Sequence, residues 1–192
     1  MKRAIIVHCW SGTPEYCWYP YVKKELEAEG FEVVVPALPG TDQPELARWL
    51  PIARAIIGTP DEETWLIGHS AGCITILRYL ESLSAGETIG GAVLVAGFID
   101  SLGYKELENF FLEPLNFAAI RKHCARFTLI HSDNDPYVPL AQGILLKEVL
   151  QAELIVKHRA GHFSGSVDEP GSCTELPEVV VAIQKYSDDQ NQ

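Results

Sequence analysis

Short runs of apolar, largely β-branched residues recur along the chain. Because these runs are apolar at consecutive positions rather than alternate ones, they are typical of strands buried on both faces of a parallel sheet. The six predicted strands are RAIIVH (3–8), EVVVPA (32–37), TWLIG (64–68), GAVLVAG (91–97), FTLIHS (127–132) and ELIVKH (153–158).

The segments between these runs carry helical patterns. The predicted helices cover residues 19–30, 44–56, 70–83, 142–152 and 176–187. We expect Pro51 to interrupt or kink the second helix because proline removes a backbone N–H. Segment 98–126 is either a cap over the strand ends or an ordinary crossover helix with a loop. The alternation predicts an α/β fold with helices on both faces of a mainly parallel six-stranded sheet.

Composition supports one domain, which we place over residues 1–186, followed by a flexible polar tail over 187–192. The chain has 192 residues, of which 47% are hydrophobic, enough for one sizeable core. The formal net charge of -11 disfavours nucleic acid and anionic membranes as partners. The N-terminus lacks the long apolar stretch of a signal peptide, and no segment is long enough to span a bilayer, so we expect a cytoplasmic protein.

The five cysteines indicate neither a disulfide framework nor a structural zinc site. Their number is odd, their spacing is irregular and no CxxC occurs. We therefore expect no metal and no cofactor, and we interpret Cys73 and Cys124 as small buried hydrophobic residues. The sequence indicates no particular oligomeric state.

The sequence GHSAG (68–72) follows the third predicted strand and opens a helix, which is the setting of a nucleophile elbow. Gly68 and Gly72 would remove Cβ atoms from a tight turn, and His69 precedes the exposed serine. The helix N-terminus behind Ser70 favours developing negative charge. The alternative is that Ser70 only caps the helix and the glycines only fit the turn.

A serine nucleophile needs a base oriented by an acid, and in this fold the order along the chain is serine, acid, histidine. The histidines after Ser70 are His123, His131, His158 and His162. We favour His162, because it lies on a glycine-bounded loop after the last strand.

The acid is expected on the loop after the fifth strand, in HSDNDPYVP (131–139). We favour Asp135 over Asp133, which is then interpreted as a turn residue. Asp100, after the fourth strand, is a third candidate.

The oxyanion hole of such an enzyme uses the backbone N–H after the nucleophile and a second from the loop after the first strand. Here these are Ala71 and, in HCWSG (8–12), Trp10 or alternatively Cys9. The Trp10 and Trp18 rings are candidates for walls of an acyl pocket, although core packing explains Trp18 equally well.

These motifs together resemble the retinoblastoma-binding protein 9-like family of small serine hydrolases. The resemblance rests on IIVHCWSG, GHSAG, FFLEPLNFAAIRKHC leading into HSDNDPYVP, and AGHF. It implies a single-domain α/β-hydrolase fold without a large cap domain and a triad of Ser70, Asp135 and His162. The Leu-x-Cys-x-Glu motif for binding retinoblastoma protein is absent, because GSCTE (171–175) has glycine where leucine is required.

The leading hypothesis is a serine hydrolase that cleaves small carboxylic esters, or thioesters or amides, through an acyl-enzyme on Ser70. The alternative is a non-catalytic protein-interaction module on the same fold. A dinucleotide- or nucleotide-binding function is disfavoured because neither G-x-G-x-x-G nor a Walker A motif occurs. A cysteine hydrolase using Cys9 or Cys17 is disfavoured because neither cysteine occupies an elbow.

Overall fold

Six strands and seven helices alternate along the chain in a computed structural model that describes residues 1–165 and 172–187. The strands are β1 (Arg3–Val7), β2 (Glu32–Val34), β3 (Thr64–His69), β4 (Gly91–Val95), β5 (Phe127–Ser132) and β6 (Glu153–Lys157). The helices are α1 (Tyr19–Ala28), α2 (Leu46–Ile57), α3 (Ala71–Glu81), α4 (Lys105–Glu108), α5 (Phe117–His123), α6 (Leu140–Leu150) and α7 (Pro177–Ser187).

All six strands form one sheet in the order β2-β1-β3-β4-β5-β6, and every neighbouring pair is parallel. The chain leaves β1 in one direction to reach β2 and then crosses back to β3 on the other side of β1. The carboxyl ends of β1 and β3 therefore lie at the topological switch point, where open parallel sheets place their ligands.

The sheet separates two apolar cores. Successive β1 side chains alternate between them: Ala4 and Ile6 pack with α1 and α7 on one face, whereas Ile5 and Val7 pack with α2, α3, α5 and α6 on the other. This double burial explains why the strands read as continuous apolar runs. The predicted fold, a mainly parallel six-stranded sheet with helices on both faces, is confirmed.

The predicted elements are found with small shifts at their ends. Strand β2 stops at Val34 rather than residue 37, and Pro36 just beyond it has no N–H for a sheet ladder. Strand β4 stops at Val95 because Ala96 adopts a positive φ of 50°. The expected interruption at Pro51 is wrong, since α2 runs continuously through it.

Segment 98–126 combines both of its predicted roles. Its second half is a crossover helix, α5, which packs between α3 and α6. Its first half, from Phe98 to the short helix α4, lies beside the carboxyl end of β3, where Phe98 and Leu107 line a cavity. This is a partial cover rather than a large cap domain.

The polar tail predicted over 187–192 lies almost wholly outside the described residues, because Ser187 is the last residue of α7. Within residues 1–165 and 172–187, no helix is long and apolar enough to cross a bilayer. The same part of the chain contains no group of three or more His, Cys, Asp or Glu residues that could hold a metal ion.

Candidate active site

Ser70 lies at the sharp turn between β3 and α3 with φ 53° and ψ -114°. A non-glycine residue reaches such angles only at a cost of about 1–3 kcal/mol, and such strain is concentrated at functional sites. A Cβ atom on Gly72 would overlap the carbonyl oxygen of Val7, and one on Gly68 would lie 2.8 Å from the Cys73 Cα. The two glycines are therefore required by the close approach of backbone on either side of the turn.

The side chain of Ser70 does not cap the helix that follows it. No side-chain capping hydrogen bond forms at the N-terminus of α3, although Ser70 occupies the N-cap position. The backbone alone fixes the turn, since the Ser70 N–H donates to Val95 and its carbonyl accepts from Cys73. The hydroxyl is left for other chemistry, which is evidence against the interpretation of Ser70 as a simple capping residue.

His162 and Asp135 form a buried pair. The His162 Nδ1 lies 2.7 Å from the Asp135 Oδ2, and the two side chains are 11% and 1% exposed. Burial of the carboxyl raises the pKa of Asp135, but the hydrogen bond from His162 and the backbone N–H groups of Tyr137 and Val138 outweigh it, so the net pKa lies below its ordinary value. The ionised carboxylate can only accept, so Nδ1 carries the proton and the Nε2 of neutral His162 is a free base.

The other acid candidates have different partners. The Asp133 carboxylate accepts from the His158 Nδ1 at 2.6 Å and from the Arg159 N–H at 2.8 Å. These bonds, the backbone one foremost, hold the pKa of Asp133 below its usual range. Asp100 accepts from the Gln142 amide at 2.8 Å and from a backbone N–H of its own loop. Neither carboxylate contacts His162.

Two further side chains that the sequence analysis did not single out join the acid loop to the base loop. The Ser132 hydroxyl accepts from the Ala160 N–H, and the Asn134 side-chain oxygen accepts from the Gly161 N–H, each at 2.9 Å. Together with the two aspartates, four consecutive residues that begin with the last residue of β5 hold the loop that carries His162. The uninterrupted run of polar residues, SDND (132–135), is the sequence signal of this role.

None of the remaining histidine candidates forms a hydrogen bond with Asp135. The His123 Nδ1 donates to the Glu87 carbonyl, 2.7 Å away, near the amino end of the sheet. His131 is buried against Gly143, and burial lowers its pKa to about 4. The side chain of His158 is 82% exposed.

In the loop after β1, the backbone N–H groups of Cys9 and Trp10 differ in whether they already donate a hydrogen bond. The Cys9 N–H donates to the Tyr19 hydroxyl at 3.0 Å and is therefore occupied. The N–H of Trp10 has no hydrogen-bond partner among the described residues, and nor does that of Ala71 at the first turn of α3. Of the two candidates on this loop, Trp10 is thus the available donor.

A cavity of about 360 Å³ joins these groups, with Ser70, His162 and Trp10 in its wall. Among residues 1–165 and 172–187, no Asp, Glu, Lys or Arg lines it. The apolar part of the wall consists chiefly of Phe98, Leu102, Leu107 and Val138, and the polar part of Ser and Tyr hydroxyls. Such a lining suits an uncharged organic group with few polar atoms.

Trp18, Cys73 and Cys124 belong to the core. Trp18 is fully buried, packs on Tyr19 and does not line the cavity. Cys73 and Cys124 are buried, as predicted. Cys9 does line the cavity, but burial raises its pKa to about 11, and burial also raises the pKa of Cys17. Both shifts oppose the thiolate that a cysteine hydrolase needs.

Comparison with known proteins shows to which family the chain belongs. The family model described as serine hydrolase matches residues 4–182. The chain is 31% identical to YdeN of Bacillus subtilis (strain 168) over 96% of both chains. It is 28% identical to the serine hydrolase RBBP9 of Rattus norvegicus, over 78% of this chain and 79% of that one.

Solved structures extend the likeness. The crystal structure of the ydeN gene product from B. subtilis has a TM-score of 0.91 at 31% identity, over 98% of this chain and 100% of that one. Est1E from Butyrivibrio proteoclasticus, solved with ferulic acid bound, has a TM-score of 0.76 over 99% and 89% of the two chains, at 15% identity, which shows a shared fold only. The chain therefore belongs to the serine hydrolase family and is a small, RBBP9- and YdeN-like hydrolase with an α/β-hydrolase fold.

Proposed function

We propose that this hydrolase cleaves small, uncharged carboxylic esters through an acyl-enzyme on Ser70, with His162 as base and Asp135 as the orienting acid. The observation that carries the proposal is the shared cavity. Ser70, which has a strained backbone and does not cap α3, and His162, which is hydrogen-bonded to Asp135, line the same 360 Å³ space. A serine hydroxyl becomes nucleophilic when such a base removes its proton.

In the acylation step the Ser70 Oγ forms a bond to the ester carbonyl carbon while the His162 Nε2 takes the hydroxyl proton. The carbonyl oxygen becomes an oxyanion, for which the free N–H groups of Trp10 and Ala71 are the donors. Asp135 keeps the Nδ1 proton of His162 in place and stabilises the imidazolium. Collapse expels the alcohol, which takes the proton from His162.

Deacylation repeats this chemistry with water. His162 removes a proton from water, the hydroxide oxygen bonds to the acyl carbon, and a second oxyanion forms at the same donors. Its collapse breaks the bond to Ser70, which regains its proton from His162, and releases the carboxylic acid. Thioesters and amides are alternative substrates that differ only in the leaving group.

Substrate size follows from the cavity. A lining of apolar and aromatic side chains without charge favours acyl groups that gain by burying hydrocarbon, about 25 cal/mol per Å². A space of this volume holds a short or medium acyl group together with the ester carbonyl. We infer a small-molecule acyl ester as the substrate.

The test compares native protein with Ser70→Ala and with Ser84→Ala, a matched control because Ser84 is exposed and its side chain forms no hydrogen bond with any described residue. We expect a fluorophosphonate probe to label native protein and Ser84→Ala but not Ser70→Ala. Hydrolysis of nitrophenyl esters of graded acyl length should follow the same order. Ester hydrolysis that persists in Ser70→Ala would contradict the proposal, and well-folded native protein that is never labelled would favour the non-catalytic interaction module.

A further inference from the structure

Tyr19 and His69 form a buried hydrogen-bonded bridge between two loops of the active site. The Tyr19 hydroxyl lies 2.7 Å from the His69 Nδ1, and it also accepts from the Cys9 N–H at 3.0 Å. At the other end, the His69 Nε2 lies 2.8 Å from the carbonyl oxygen of His162. This Tyr19–His69 bridge thus joins the backbone of the first-strand loop to the backbone of the loop that carries the base.

Each polar atom of the bridge can be assigned as a hydrogen-bond donor or acceptor. The His162 carbonyl can only accept, so the His69 Nε2 carries a proton and donates it. In the neutral ring Nδ1 is then an acceptor, and it takes the Tyr19 O–H, whose oxygen accepts from Cys9. Burial together with the nearby His162 lowers the pKa of His69 to about 3, which keeps the ring neutral and preserves this arrangement.

The bridge also helps to fix the direction of the Trp10 N–H. The Cys9 carbonyl accepts from the His8 Nδ1 at 2.8 Å and from the Gly12 N–H at 3.1 Å, while the Cys9 N–H is held by Tyr19. Hydrogen bonds thereby hold both the N–H and the carbonyl of Cys9. In a trans peptide the N–H of Trp10 points away from the Cys9 carbonyl, so its direction is fixed as well.

The bridge is sealed from solvent, so bulk water does not replace a bond that is lost. Tyr19 and His69 are both fully buried, and the Trp18 indole packs against both rings. A buried polar group that loses its partner costs about 1–3 kcal/mol. Removing one hydroxyl would therefore leave two polar groups unsatisfied and let both loops move.

We propose that Tyr19 and His69 are positioning residues that set the spacing between the oxyanion donor of Trp10 and the base His162. This inference rests on the proposed function of that site. Neither residue lines the cavity that holds Ser70 and His162, although the His69 ring packs against the His162 ring with centroids 5.2 Å apart. They act by holding Cys9 and the His162 backbone at fixed separation, and small displacements of catalytic groups cost up to about a hundredfold in rate.

The first test is Tyr19→Phe, which keeps the ring and removes only the hydroxyl. We expect kcat for a nitrophenyl ester to fall at least about tenfold with KM changed less than about twofold, since the ester-binding wall is intact. The matched control is Tyr79→Phe, because the buried Tyr79 hydroxyl has no hydrogen-bond partner among the described residues. Its kcat should stay within about twofold of native.

The second test asks whether the two residues act as one unit. In His69→Gln the side-chain amide can still donate to the His162 carbonyl, whereas in His69→Leu it cannot. We expect Gln to retain several-fold more activity than Leu. Adding Tyr19→Phe to His69→Leu should cost little beyond His69→Leu alone, because the bridge is already broken. Fully multiplicative losses would overturn the proposal.

A third measurement does not depend on turnover. The His162 Nδ1 proton shared with Asp135 gives a far-downfield proton NMR signal, assigned by its loss in His162→Gln. We expect Tyr19→Phe to shift or broaden this signal, while Tyr79→Phe leaves it unchanged. A native kcat and an unchanged signal in folded Tyr19→Phe would overturn the bridge as a positioning device. A shifted signal in a protein that hydrolyses no ester would support the bridge and overturn only the proposed function.

Discussion

The His162 Nδ1 and the Asp135 Oδ2 lie 2.7 Å apart, with the carboxylate side chain only 1% exposed. Two residues earlier, Asp133 forms an equally short bond to His158, but its partner is 82% exposed. Two histidine–aspartate pairs thus lie side by side at the carboxyl end of the sheet. Only the buried pair contains a residue that lines the cavity with Ser70.

The two aspartates provide a matched experiment. Asp135→Asn should lower kcat for ester hydrolysis by about 10³–10⁴-fold, because an amide no longer selects the Nδ1–H tautomer of His162. Asp133→Asn should lower it by less than about tenfold, since the loop keeps its other hydrogen bonds. Steady-state kinetics on both purified variants checks this. Equal losses in the two variants would contradict the assignment of Asp135 as the acid.

Stability should depend on pH through the same carboxylate. The pKa of Asp135 lies below its ordinary value of 3.8 in the folded protein, so its contribution is fully present above that pH and is lost as the pH falls through the folded pKa. The difference in unfolding free energy between native protein and Asp135→Asn should therefore shrink below a pH of about 4. Urea unfolding over a pH series measures it, and a difference independent of pH would contradict the prediction.

The sequence predicts the sheet well because a strand buried on both faces is apolar at consecutive positions. Ile5 and Val7 face one core while Ala4 and Ile6 face the other, so each strand is apolar throughout. The elbow glycines can be predicted from the sequence equally well, because a tight turn requires them. The triad candidates follow from chain order and loop position, although the choice between two neighbouring aspartates depends on contacts made with a distant loop.

The Tyr19–His69 bridge has no comparable pattern in the local sequence. Tyr19 opens α1 and His69 ends β3, and the bridge joins them to the loops after β1 and β6, so its contacts depend on how the whole sheet assembles. A tyrosine at the start of a helix is ordinary in sequence. Only the hydrogen bond from Cys9 to Tyr19 shows that the Cys9 N–H is occupied, which leaves Trp10 as the available donor.

The elbow makes a steric prediction. Gly72→Ala places a methyl group against the carbonyl oxygen of Val7, which is backbone and cannot turn aside. We expect a loss of about 3 kcal/mol in unfolding free energy and loss of probe labelling. Gly86→Ala is the control, because it has open space at a positive φ of 92° and should cost only about 1 kcal/mol of backbone strain. Equal losses in the two variants would show that the close approach at Gly72 is not limiting.

The uncharged cavity predicts discrimination by substrate charge. A nitrophenyl ester with a free carboxylate on its acyl group should have a kcat/KM about a hundredfold below that of the butyrate ester, because no Lys or Arg in the described part of the chain lines the cavity to offset desolvation. The protein's net charge of -11 adds repulsion that salt screens.

Placing a cation at the rim should relax this discrimination. Tyr104 lines the cavity and is 37% exposed, so Tyr104→Arg can reach both solvent and substrate. We expect it to raise kcat/KM for the anionic ester relative to the butyrate ester by at least about fivefold, an effect that weakens with added salt. Tyr104→Gln is the neutral control, which removes the same ring without adding charge and should leave the ratio near native. If both variants changed the ratio equally, charge would not be the property that the cavity selects.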